Sequence, residues 1–140
     1  MRVLGIDHGT KRIGLALSDP FGVIASPFGF FDTHPRTRLK KRLEKLFLEQ
    51  DVRVVVVGEP LMMDGSVGVQ AEKVDDFVVW LESWCTVRIE RVDERLTSVM
   101  AEKALIEGGV RRAERKQKRD AIAAAILLQS WLDAQVKDEG

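Results

Sequence analysis

A chain of 140 residues, 45% hydrophobic and 31% charged, holds enough apolar material for one core and is too short for a two-lobed nucleotide enzyme. Its 22 basic and 22 acidic residues cancel, so attraction to nucleic acid has to come from local clusters, not from the field of the whole molecule. A single cysteine, Cys85, excludes an internal disulfide framework, and no apolar run reaches membrane-spanning length. With no signal-peptide core at the start, these features predict one domain over residues 1–140, cytoplasmic and without a membrane partner.

Val3 to Ser18 is two apolar runs around a Gly9-Thr10 turn, which predicts a β-hairpin with Asp7 at the end of its first strand. A carboxylate there stands at the rim of a sheet, within reach of a metal or phosphate. Gly5 and Gly9 permit close approach, and Thr10, Lys11 and Arg12 add a hydroxyl and two cations. An Asp beside a glycine turn is also ordinary turn chemistry, so this stretch alone does not decide between the two readings.

Val23 to Phe31 reads as a third strand, interrupted at Pro27 and Gly29 and so irregular or at an edge. Asp32 or Thr33 is expected to cap a helix from about Arg36 to Gln50, whose apolar stripe is Leu39, Leu43, Leu46 and Phe47. Val52 to Val57 is a strand covered on both faces, and the long loop after Gly58-Glu59-Pro60 is a candidate ligand loop. A helix from about Val69 to Ser83, burying Val74, Phe77, Val78 and Leu81, leads to an alternating strand from Thr86 to Val92. Thr97 or Ser98 would cap a third helix, and the segment from Arg111 to Val136 holds a basic stretch followed by a last helix.

The order β-β-β-α-β-α-β-α-α predicts an α/β fold: a mixed sheet of three antiparallel strands followed by parallel ones, flanked by helices. Right-handed crossovers put the Val54–Val57 strand beside the first and the Val87–Val92 strand beyond it. Asp7, Glu59 and Asp93 or Glu94 then share one rim, where open α/β sheets bind ligands. Asp120, in Arg115-Lys116-Gln117-Lys118-Arg119-Asp120-Ala121, is either a helix cap or, if the Ala-rich helix lies close on the sheet, a further acid at that rim. Carboxylates gathered there call for a hard divalent cation, Mg²⁺ or Mn²⁺. Two such ions roughly 4 Å apart would activate water and stabilise the leaving oxygen in phosphodiester cleavage.

Four motifs, taken together, resemble the YqgF/RuvX family. They are Asp7-x-Gly9-Thr10-Lys11-Arg12-Ile13-Gly14-Leu15-Ala16, Val57-Gly58-x-Pro60-Leu61-x-Met63-Asp64-Gly65-Ser66, Val92-Asp93-Glu94-Arg95-Leu96-Thr97 and Asp120-x-x-Ala123-Ala124. The resemblance implies an RNase H-like fold with a five-stranded mixed sheet. It also implies a two-metal nuclease that matures the 5′ end of pre-16S rRNA or resolves Holliday junctions in DNA. Carried over by motif, Asp7, Glu94 and Asp120 are the catalytic acids and metal ligands, with Asp7 bridging the ions and water as nucleophile. Glu59 is the rival to Glu94, because related resolvases place their second acid at the end of the fourth strand. Thr10, Lys11, Arg12, Arg95, Lys116, Lys118 and Arg119 are the expected nucleic-acid contacts, and steep salt dependence follows from them. Acting on a symmetric junction would need two active sites and hence a homodimer. Two other readings stay open: a non-catalytic RNA- or ribosome-binding module, and an ATP-binding module of the actin or sugar-kinase type.

Overall fold

The structure is a computed structural model that describes residues 1–59, 68–93 and 112–139, the side chains of 70, 112–117 and 136–139 excepted. The described chain runs β1 (Arg2–His8), β2 (Arg12–Ser18), β3 (Ala25–Asp32), α1 (Arg36–Glu49), β4 (Val52–Glu59), α2 (Val69–Trp84), β5 (Arg88–Asp93) and α3 (Arg112–Glu139). The helix expected to begin at Thr97 or Ser98 lies outside the described residues. Among the described residues no helix is long and apolar enough to cross a membrane.

The five strands form one sheet in the order β3-β2-β1-β4-β5. β1 pairs antiparallel with β2 and β2 with β3, whereas β1 with β4 and β4 with β5 are parallel. This is the mixed sheet the sequence predicts. The Val-rich strand β4 sits between β1 and β5 with Val55, Val56 and Val57 fully buried, which is why it reads as an unbroken apolar run.

Side-chain alternation splits the core in two. On one face Leu4, Ile6, Ile13, Leu15, Val55 and Val57 pack with Leu39, Leu43 and Leu46 of α1 and with Val74, Phe77, Val78 and Leu81 of α2. On the other, Val3, Ala16 and Val56 meet Ala124, Leu127, Leu128 and Leu132 of α3. Glycines let α3 lie low on that second face. A Cβ built at Gly5 would stand 2.8 Å from Leu128 Cβ, and one at Gly14 only 2.0 Å from the Asp120 carbonyl oxygen. The amide of Gln129 fastens the far end of α3 to the β2–β3 hairpin by accepting from the Ala25 N–H and donating to the Val23 carbonyl.

One local expectation is corrected. Neither Asp32 nor Thr33 caps α1: its N-cap is Pro35, with no side-chain cap. Thr33 is instead buried, its hydroxyl donating to the Thr10 carbonyl at 2.7 Å and its N–H to the Lys11 carbonyl at 2.9 Å. It thereby ties the end of β3 to the β1–β2 turn. Trp84 is half-buried and packs in an aromatic cluster with Phe47 and Trp80.

Candidate active site

The C-terminal ends of β1, β4 and β5 and the start of β2 make one rim of the sheet. Asp7 lies there on β1, on the α3 face by its alternation with Val3 and Gly5, and is half-buried. Its antiparallel partner is Gly14. Facing residues of such a pair stand about 5 Å apart. Over Gly14 lies Asp120, whose Cβ would be 2.9 Å from a Cβ placed on that glycine. Asp7 and Asp120, 113 positions apart in the chain, therefore sit one strand apart on the same face and the same rim. Because α3 is helical from Arg112, Asp120 is no helix cap but belongs to its third turn.

Arg12 completes this corner. Its guanidinium is 3.1 Å from the Asp120 carboxylate and lies over the Phe30 ring at 5.1 Å, with 22% of the Arg12 side chain and 28% of the Asp120 side chain exposed. That partial burial makes the pair stronger than an ordinary surface ion pair. The tight β1–β2 turn, closed by the Gly9 N–H on the Arg12 carbonyl at 2.8 Å, holds Thr10 and Lys11 out in solvent beside it. Lys118 is exposed and Arg119 half-buried, both on the turn of α3 that carries Asp120. Glu94, Arg95 and the Lys116 side chain lie outside the described residues.

Glu59 reaches the same rim but on the other face. It shares the alternation of Val55 and Val57, which pack against α1 and α2, and it is paired with Asp93 of β5. Val92, one residue earlier on β5, packs on the α3 side. Among the described residues no three His, Cys, Asp or Glu side chains gather closely enough to hold a metal. Asp7 and Asp120 are two hard oxygen donors brought together by a helix that only a glycine admits so closely, and such a pair suits a divalent cation of the Mg²⁺ class.

On the α1/α2 face a second concavity of about 480 Å³ is lined by His8, Thr33, His34, Arg36, Lys73 and Asp76, among others. The His8 ring rests 4.6 Å from that of Phe77, and its pKa is lowered to about 4, first by burial and then by the Arg36 guanidinium. His8 is therefore neutral at pH 7 and has no charge to offer a phosphate. Between pH 6.5 and 4 the unfolded chain binds a proton here that the native chain refuses, so stability falls as pH drops through that window. We expect His8→Gln to flatten that slope by up to about 3 kcal/mol, less the share that solvent screens. Urea unfolding at pH 4 and pH 7 measures it, and equal slopes in the two proteins would contradict the assignment. The Cys85 thiol, raised in pKa by burial, is a packing residue.

Sequence reasoning missed Gly14 and Phe30. An isolated glycine inside a strand signals close backbone approach, and Gly14 carries that signal in plain view. Phe30 carries none, because its role depends on which strand end faces Arg12.

A five-stranded 3-2-1-4-5 sheet with acids converging on the rim from β1 and the last helix defines the RNase H-like class of fold. Solved structures agree on the fold. RuvC of Thermus thermophilus, in complex with a Holliday junction substrate, superposes with a TM-score of 0.58 at 18% identity over 97% of this chain and 96% of that one. The fowlpox virus Holliday junction resolvase gives 0.54 at 12% identity, over 96% and 99%. The family model described as "RuvX: Holliday junction resolvase" matches residues 1–134, and the chain belongs to the RuvX family. Its relatives include proteins named "Putative pre-16S rRNA nuclease". That of Lachnospira eligens is 38% identical, covering 98% of this chain and all of its own. That of Chloroflexus aggregans is 44% identical over 94% of this chain and 93% of its own.

Proposed function

We propose that residues 1–140 form a single metal-dependent endonuclease domain that hydrolyses phosphodiester bonds in structured nucleic acid. Its task on this reading is 5′-end maturation of pre-16S rRNA in the cytoplasm, with cleavage of branched DNA as a second activity that would require two copies of the chain. The observation that supports it most is Asp120 lying over the Asp7–Gly14 pair, in a member of the RuvX family.

Asp7, Asp120 and Glu94 would hold Mg²⁺ or Mn²⁺. Glu94 is the third acid by motif, and its rival Glu59 has the alternation of Val55 and Val57, which points to the face opposite α3. When bound, a pair of such ions supplies an activated water and stabilises the leaving oxygen. The remaining work belongs to the chain. Arg12 orients the Asp120 carboxylate and offsets its charge, while the Phe30 ring lies against the guanidinium. Thr10, Lys11, Lys118 and Arg119, with Arg95 and Lys116, would draw in the phosphate backbone. Arg12, already engaged with Asp120, would share its guanidinium with a phosphate.

Each lost phosphate contact lowers the slope of log affinity against log salt by about 0.7–0.9. Lys11→Ala and Lys118→Ala are each expected to do so without changing sequence preference, and a titration across salt concentrations checks it. An unchanged slope removes that lysine from the interface.

The test of the activity uses an RNA carrying a 16S precursor 5′ extension and a four-way DNA junction, each with Mg²⁺, with Mn²⁺ and with EDTA. Cleavage in the metals that EDTA abolishes is the expected result. Binding without turnover, indifferent to EDTA, would instead make the chain an RNA-binding module. Heat of binding with ATP would favour the nucleotide-binding alternative.

A further inference from the structure

We propose that the groove between β3 and α3 is a stacking platform for unpaired bases of the strand whose backbone lies against Asp7 and Asp120. This rests on the nuclease reading above and specifies the form of its substrate. The groove, of about 350 Å³, is walled by Pro27, Phe28 and Phe30 of β3 and by Lys118, Ala121 and Ile122 of α3.

The strand register explains how two aromatic rings come to line it. Gly14 pairs with Phe30, Leu15 with Gly29 and Ala16 with Pro27, so Phe28 is an extra residue in β3 with no partner on β2. A bulge of this kind turns a side chain out of the regular alternation and is common on edge strands beside functional sites. Phe30 shares the face of Gly14, and the bulge brings Phe28 to the same groove. Both rings are open to solvent, Phe28 by 46% and Phe30 by 36%. Neighbouring exposed aromatic rings on one face mark a binding surface.

The platform is continuous with the carboxylate corner. The Phe30 ring carries the Arg12 guanidinium, which holds Asp120, and the groove residues Lys118 and Ala121 flank Asp120 in the chain. Lys118 is the charged side chain among the described residues lining the groove, so its charge suits a polyanion. Flat apolar rings beside a cation match a nucleotide, whose base stacks while its phosphate is neutralised. In a duplex the bases stack on one another, so only a loop, tail or branch point can use this surface. A second copy of the chain adding a strand to β3 is disfavoured by the same residues, since Pro27 lacks an N–H and the bulge breaks the edge.

The test compares a labelled hairpin carrying an unpaired tail with a blunt hairpin of the same stem, in RNA and in DNA, at fixed salt in EDTA. Whichever polymer wild type binds more tightly identifies the strand it takes. With that polymer, Phe28→Ala is expected to lose about tenfold in affinity for the tailed hairpin and far less for the blunt one. Phe28→Trp is expected to restore the preference. Phe30 is left intact because it also supports Arg12. If Phe28→Ala keeps the tail preference while wild type cleaves in Mg²⁺, the platform is wrong and the nuclease reading stands. A change from dimer to monomer in sedimentation on Phe28→Ala would also overturn it, by making the groove an interface between copies. If wild type neither binds nor cleaves either polymer, both readings fall.

Discussion

Asp7→Asn is expected to lower the cleavage rate by at least about a hundredfold, the scale seen when one preorganised electrostatic group is removed from a reacting centre. The side chain keeps its size and its place on β1, facing Gly14, and loses the charge that a divalent cation needs. Because Asp7 sits half-buried at the rim and outside both apolar clusters, the fold should survive. Thermal unfolding is expected within a few degrees of wild type, as for substitutions that create no cavity. Wild-type turnover in the folded variant would eliminate Asp7 from the chemistry.

Gly14→Ala is expected to be severely damaging for a single added methyl group, the worst among the described glycines whose surroundings the structure gives. Its Cβ would lie 2.0 Å from the Asp120 carbonyl oxygen and 2.3 Å from the carbonyl carbon, both backbone atoms of a helix that cannot yield by rotating a side chain. Either β2 or α3 must move. Overpacking of this kind costs about 3 kcal/mol or more, and the displacement carries Asp120 away from Asp7. Stability in urea and cleavage should therefore fall together. A variant as stable as wild type would show that α3 does not lie this low on the sheet.

The gross fold could be read from the chain because each element announces itself by period. The run Val54–Val57 has no polar position and must be central, while Arg88–Val92 alternates and must lie near an edge. Right-handed crossovers then fix the strand order. The convergence of Asp7 and Asp120 was implied by the motif resemblance, whereas the residues themselves signalled it only indirectly, through an acid among bases followed by small residues. What made it possible, the missing side chain at Gly14, lies on a different strand from either acid. Which face Glu59 occupies follows from counting along β4 once the packing of Val55 and Val57 is known, and motif comparison alone could not supply that. The capping of α1 was misread because Thr33 satisfies two backbone groups of the β1–β2 turn, a tertiary demand that local capping preference does not register. The bulge at Phe28 was foreshadowed by Pro27 and Gly29, which marked the strand as irregular without saying which ring it would turn outwards.

The most direct measurement is a crystal structure of the chain grown with Mn²⁺, with data collected for manganese anomalous scattering. Density between the carboxylates of Asp7 and Asp120, with Glu94 closing the shell, is the predicted outcome. Manganese bound at Glu59 and Asp93 instead, or none at this corner in a preparation that cleaves, would contradict the account.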